Sequence, residues 1–172
     1  MSPKRRKGKG PAPGATRASK ALVALGIEHE LHSYELPPDA DESTLGEAAA
    51  SALGIAPESA FKTLIALCDG EPACAVVPVS GTLSLKALAA AAGAKRAIMA
   101  PLDQAERITG YVKGGISPLG QLKRLRTFVD ASVTAHEEVH VSAGQRGLDL
   151  CVASADLMTA AEATAVDGLG AG

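Results

Sequence analysis

Phe61-Lys62-Thr63-Leu64-Ile65-Ala66-Leu67-Cys68-Asp69-Gly70-Glu71-Pro72-Ala73-Cys74-Ala75-Val76-Val77-Pro78-Val79 decides the fold class. Phe61 to Cys68 has the composition and length of a strand, Asp69-Gly70 is a turn signal, and Ala73 to Val79 is a second strand. On the first strand Phe61, Thr63, Ile65 and Leu67 share one face, while Lys62, Leu64, Ala66 and Cys68 share the other. Lys62 therefore opens a face that is otherwise apolar. A lysine at a strand end commonly snorkels to water. Placed beside a pocket, the same cation meets a phosphate or carboxylate.

Outward from this hairpin the elements are mixed. On its N-terminal side, Thr16 caps a short helix that Gly26 stops, Ile27 to Tyr34 reads as a strand, and 36–42 is an acidic, proline-broken loop. Thr44-Leu45-Gly46-Glu47 fits a capping box opening a helix that Gly54 closes. On the C-terminal side, Ser84 caps a helix over Leu85 to Ala92, Ala97 to Met99 is a short strand, and Pro101 to Thr109 is a helix. Strands follow at Thr127 to Asp130, Val139 to Ser142 and Leu148 to Val152, then a short helix at Ala155 to Thr159. Strands and helices do not alternate regularly, so the class is α+β with one mixed sheet rather than a doubly wound fold.

At 172 residues the chain is one domain with a real core. Apolar residues are 47% but aromatics only 2%, namely Tyr34, Phe61, Tyr111 and Phe128, so the core is aliphatic and an aromatic stacking platform for single-stranded nucleic acid is excluded. The net charge of −2 divides unevenly: five of the 17 basic residues lie in the first ten positions, leaving about −7 on the body. Residues 1–14 thus read as a disordered basic tail, and 15–170 as the domain. Three cysteines without a C-x-x-C pair, and no apolar run of membrane length after the basic start, point to a reduced, cytoplasmic protein with no membrane partner.

Four glycines and a proline fall in Gly110-Tyr111-Val112-Lys113-Gly114-Gly115-Ile116-Ser117-Pro118-Leu119-Gly120. Such a loop can aim several N–H groups at one point, as oxyanion-binding nests do, or it can be an ordinary tight connection. Its glycine spacing approaches a P-loop, but Gln121 and Leu122 replace the lysine and hydroxyl residue, which excludes that kind of nucleotide binding. Ser117 has no G-x-S-x-G elbow around it, so the serine before a proline reads equally well as a turn residue.

His136-Glu137-Glu138-Val139-His140 matches H-E-x-x-H, a zinc pattern that works only on a helix. Here Val139 to Ser142 is strand-like, and on a strand the two histidines stand roughly 13 Å apart, too far to share a metal. The residues therefore call for neither a metal nor a cofactor. Asp149, inside a strand, faces either solvent or a polar pocket. Lys123, Arg124 and Arg126 make a basic stretch beside the glycine loop.

Taken in order, Phe61-Lys62-Thr63-Leu64, Pro78 to Leu88, Gly93-Ala94-Lys95-Arg96, Thr109 to Gly120, and Val141-Ser142 leading to Arg146-Gly147-Leu148-Asp149 resemble the YbaK/EbsC-type proteins. These are free-standing relatives of the editing domain inserted in bacterial prolyl-tRNA synthetases. The resemblance runs from about Thr16 to Asp167. It implies a single mixed α/β domain around a barrel-like sheet, and an enzyme that clears cysteine mischarged to tRNA(Pro), acting on free tRNA or beside prolyl-tRNA synthetase.

By that resemblance Lys62, Gly114, Gly115 and Ile116 are the catalytic positions, with the loop's N–H groups around the aminoacyl carbonyl. Tyr34, Leu45, Ser117, Pro118 and Asp149 are substrate-binding, and Lys113, Lys123, Arg124 and Arg146 face tRNA. The resemblance further implies that the substrate's own thiol attacks its ester, while Lys62 holds the terminal adenosine and its phosphate. Leu45 stands where these proteins commonly carry an aromatic, and Gln145 where they carry a lysine. Two alternatives follow from such departures: a deacylase for another small amino acid such as alanine, or a non-catalytic adaptor for tRNA and prolyl-tRNA synthetase.

Overall fold

Two residues close the central hairpin. In the computed structural model, which describes residues 15–36 and 45–171, Cys68 pairs with Glu71 across Asp69 and Gly70. Both turn residues have positive φ, 48° and 85°, as a type I′ turn requires. The Asp69 carboxylate also accepts from the amides of Lys95 and Arg96, at 2.9 and 3.0 Å, and so fixes the start of the neighbouring strand.

In chain order the elements are α1 (Arg17–Ala24), β1 (His29–Ser33), α2 (Leu45–Leu53), β2 (Phe61–Cys68), β3 (Glu71–Pro78), β4 (Thr82–Leu83), α3 (Leu85–Ala92), β5 (Ala97–Met99) and α4 (Leu102–Thr109). After the glycine loop come β6 (Arg126–Asp130), β7 (Glu138–Gln145), β8 (Leu148–Ala153), α5 (Ser154–Ala160), β9 (Thr164–Val166) and β10 (Gly170–Ala171). The expected basic tail, the acidic loop at 37–42 and the cap at Thr44 lie outside the described residues. The other caps form as read. The Ser19 amide donates to Thr16 Oγ1 at 3.2 Å and the Thr16 amide to Ser19 Oγ at 2.9 Å, while Ser84 Oγ accepts from the Ala87 amide.

The fold is α+β, as expected, but the sheet is not a closed barrel. The strands form a five-stranded mixed sheet in the order β5-β2-β3-β6-β9 and an antiparallel sheet β1-β8-β7, with a small β10-β4 pair. β2 is already paired with β3 and β5, and β7 with β8, and among the described residues the two large sheets join through one parallel bridge, Ala60 to His140. β4, β9 and β10 went unread because two or three residues carry too little periodicity to mark a strand.

The five-stranded sheet is buried on both faces, which explains the near-continuous apolar run of β3. On one face Phe61, Ile65, Val76 and Val129 pack against Val139, Val141, Leu150 and Val152 of the antiparallel sheet, with Ala18 and Leu22 of α1. On the other, Ala66, Ala75, Val77 and Phe128 pack under Leu88, Ala89 and Leu169. β7 alternates buried and half-exposed residues, so its second face is free for polar groups.

Asp130 ties the end of β6 to the C-terminal segment. Burial opposes its charge, yet the amides of Gly170, at 2.8 Å, and Ser132, at 3.1 Å, outweigh that and hold the carboxyl below its ordinary value. Its stabilising contribution is therefore whole above the unfolded carboxylate pKa, about 4, and is lost as pH falls through the lower folded value. Asp130→Ala is expected to cost about 1–2 kcal/mol at neutral pH. Urea titrations should show the gap from wild type closing as the pH drops below about 4; a gap unchanged at low pH would refute the assignment.

Candidate active site

β5 pairs with only Ala66 to Cys68, so the first half of β2 has β3 on one side and no β5 on the other. A cavity of about 330 Å³ opens there, at the small end of the ligand-pocket range of about 300–1,000 Å³. Phe61 to Leu64 of β2 form its floor, Leu45, Gly46 and Ala49 of α2 one wall, and Gly114 and Ile116 another. Tyr34, His140, Ser142 and Asp149 complete it from the antiparallel sheet. α2 can close on the cavity because position 46 has no side chain: a Cβ there would sit 2.6 Å from Val79 Cγ1.

The glycine loop is anchored rather than loose. Tyr111 is buried, its hydroxyl donates to the Leu119 carbonyl at 2.6 Å, and the Arg17 guanidinium lies 5.5 Å over its ring. Burial pushes the Tyr111 phenol up to about 12, against the pull of Arg17, so it remains a donor. Val112 to Gly115 is a turn closed by the Gly115 amide on the Val112 carbonyl at 2.9 Å, with Gly114 at φ 81° in the position where such a turn needs glycine. A Cβ on Gly115 would lie 2.8 Å from the Arg146 amide nitrogen, so the turn rests directly on the β7–β8 connection.

This arrangement redistributes the expected roles within the loop. Gly114 and Ile116 line the cavity, and among the described residues their amides have no acceptor. Gly115 does not offer a free donor, because its N–H is committed to Val112. Ser117 is fully buried, its hydroxyl accepts from the Leu119 amide at 3.3 Å, and Pro118 is buried beside it. Neither lines the cavity; they hold the wall from behind.

Lys62, Tyr34, Leu45 and Asp149 all line the cavity. Lys62 is half-buried and has no acidic partner among the described residues. Burial raises the Tyr34 phenol above its ordinary value and the nearby Asp149 carboxylate adds to this, so the cavity holds a neutral phenol donor. Of the expected tRNA-facing cations, Lys113 sits in the turn beside Gly114, and the Arg146 chain packs against Gly114 from the β7–β8 turn. Lys123 and Arg124 are exposed away from the lining, and Arg124 pairs with Glu162 at 2.8 Å.

Three polar cavity residues were not assigned to the site by the sequence reading, although His140 was weighed as a zinc ligand. His140 Nδ1 lies 2.7 Å from Asp149 Oδ2. Ser142 stands opposite Asp149 across β7 and β8, and Thr63 presents a buried Oγ1 with no hydrogen-bond partner among the described residues. The signal was the alternation of β7, which puts 138, 140 and 142 on one face once its strand character is accepted. The same strand answers the H-E-x-x-H pattern. Glu138 and His140 lie on β7 while His136 ends the preceding turn with its ring edge-on to Phe61, so the helical geometry that pattern needs does not form.

Residues 39–160 match the aminoacyl-tRNA editing domain. The chain belongs to that family. It is 38% identical over 105 residues to EbsC of Enterococcus faecalis (strain ATCC 700802 / V583), provisionally named a Cys-tRNA(Pro)/Cys-tRNA(Cys) deacylase. That match covers 60% of this chain and 64% of the relative's length. The fold is shared with a solved protein provisionally named a trans-editing enzyme for prolyl tRNA synthetase, with TM-score 0.79 and 21% identity, over 95% of this chain and all of that one. It is also shared with hypothetical protein APE2540, with TM-score 0.76 and 23% identity, over 88% and 99% of the two chains.

The loop geometry separates wall from anchor. Gly115→Ala must push a methyl into backbone at 145–146 and is expected to cost about 1–3 kcal/mol. Ser117→Ala removes one hydrogen bond and is expected to cost about 1 kcal/mol. Denaturant midpoints measure both, and a larger cost for Ser117→Ala would contradict the packing described.

Proposed function

We propose that this protein is a trans-acting aminoacyl-tRNA deacylase that removes cysteine mischarged to tRNA(Pro). One observation carries the reading. In a chain of the aminoacyl-tRNA editing family, a lysine and two loop amides that have no partner among the described residues, a neutral phenol and a carboxylate converge on one small cavity.

An aminoacyl ester is already activated, so the demand falls on positioning and on charge developing at the carbonyl oxygen. In this reading the amides of Gly114 and Ile116 hold that oxygen, and Lys62 holds the terminal adenosine and its phosphate. Tyr34 and Asp149 border the aminoacyl group, and Leu45 closes the apolar side of its pocket. The substrate's thiol attacks its own ester, releasing tRNA and a cyclic thioester. Lys113 and Arg146, next to the loop, meet the tRNA backbone, where each cation adds salt-dependent affinity.

The editing domain is assigned to 15–170, since α1 at one end and Leu169 at the other pack into the two apolar cores. Prolyl-tRNA synthetase is the proposed partner and the cytoplasm the proposed compartment. Among the described residues no helix is long and apolar enough to cross a membrane.

A deacylation panel of Cys-, Ala-, Ser- and Pro-charged tRNA(Pro) tests the proposal. Cys-tRNA(Pro) should be cleared fastest and Pro-tRNA(Pro) spared, and Lys62→Ala, which loses the hold on the terminal adenosine and its phosphate, should lower kcat/KM at least about 10-fold. Preference for Ala-tRNA(Pro) would move the specificity to another small amino acid. Binding of tRNA with no turnover at saturating protein would leave an adaptor instead.

A further inference from the structure

Resting on the deacylase reading above, we propose that His140, oriented by Asp149, is the proton acceptor for the nucleophile that cleaves the aminoacyl ester. Of the four histidines, only His140 lines the cavity. His29 is turned onto the Ile27 carbonyl at 3.0 Å, His32 onto Glu30 at 3.1 Å, and His136 packs edge-on to Phe61.

The strands place the pair. Ser142 stands opposite Asp149 and His140 opposite Cys151, so His140 and Asp149 are diagonal neighbours on the polar face of the antiparallel sheet. The Ala60–His140 bridge then brings that histidine within two residues of Lys62 along the chain facing it. Both side chains are largely buried, at 15% and 10% exposure, and their 2.7 Å contact is in the charge-assisted range.

A carboxylate only accepts, so the shared proton sits on Nδ1 and leaves the Nε2 lone pair available. Nε2 has no partner among the described residues. A buried pair serving stability alone needs no face on the cavity; this one has it. Histidine held by a carboxylate on one nitrogen, with the other nitrogen free, is the arrangement of a general base.

The step balances without a further reactant. The attacking thiol gives its proton to Nε2 as sulfur bonds to the carbonyl carbon, with the carbonyl oxygen on the amides of Gly114 and Ile116. The bond from that carbon to the ribose oxygen then breaks, and Nε2 returns the proton to the departing oxygen. Tyr34 stands near Asp149 as a neutral donor and does not compete for the proton.

Single-turnover deacylation of Cys-tRNA(Pro) tests the assignment in four proteins: wild type, His140→Ala, His140→Gln and His29→Ala, each checked for a cooperative melt. Loss of a general base typically costs 10²–10⁴-fold, and both His140 variants should fall in that range while His29→Ala keeps the wild-type rate. Free imidazole should restore part of the rate in His140→Ala, a response that a purely structural histidine would not give. A His140→Gln enzyme turning over at the wild-type rate overturns the proposal while the deacylase reading stands. So does a slow His140→Ala enzyme that imidazole fails to rescue, which makes His140 a positioning residue. Wild-type protein inert toward every charged tRNA removes both readings together.

Discussion

The site depends on how β2 meets β7. β2 enters from a single turn at Pro57–Ser59, pairs along its whole length with β3, and touches the other large sheet through the Ala60–His140 bridge. Below that point the two sheets are sealed by Phe61, Ile65, Val139 and Val141. Beside it α2 and the glycine loop wall the cavity, whose lining includes Phe61 and Val141 themselves. The single bridge holds the sheets close enough to share a core and far enough apart to admit a ligand.

Because the gap is bounded by two different sheets, its walls differ in character. α2 and the segments after α2 and β3 contribute aliphatic surface from Leu45, Ala49, Leu53, Ile55 and Val79, while β2 adds the polar Lys62 and Thr63. The antiparallel sheet contributes its polar face, His140, Ser142 and Asp149. A group held between them loses water on one side and meets fixed dipoles on the other. There each hydrogen bond is stronger than in bulk solvent. The anchoring of Tyr111 and the Gly115 turn matters for the same reason. Amides that must meet developing charge act best when they need not reorganise, and the buried Tyr111 and Ser117 hold the loop from behind.

Much of this was legible in the chain, and the limits are specific. Asp69-Gly70 announced the central hairpin because its turn chemistry is local. Lys62 stood out because a charge on an apolar strand face is a local anomaly. Ser117 was misleading, since its sequence neighbourhood is the same whether its hydroxyl points to a ligand or to the Leu119 amide. Gly115 was misleading for a related reason: only the turn geometry shows that its N–H is already used. His140 was noticed only within a zinc pattern whose helical geometry β7 does not form, and its partner Asp149 lies nine residues away across a hairpin. Only the register of β7 against β8 joins them, and register is a property of two strands together.

That pairing bears on how so small a site can discriminate. An aliphatic pocket distinguishes side chains differing by a methylene by only about 1–3 kcal/mol, which is modest for a proofreading enzyme that must spare correctly charged tRNA. The wall formed by Leu45, Ala49 and Ile55 is a filter of this weak kind. Under the proposed chemistry a second filter acts in series with it. If the substrate's thiol is the nucleophile and His140 takes its proton, an aminoacyl group without an ionisable side chain can occupy the cavity and still lack the attacking atom. Selection then falls on the step that breaks the bond rather than on binding. Under that proposal the aliphatic wall need not discriminate alone, because the histidine held by Asp149 would act only on a side chain that can give it a proton.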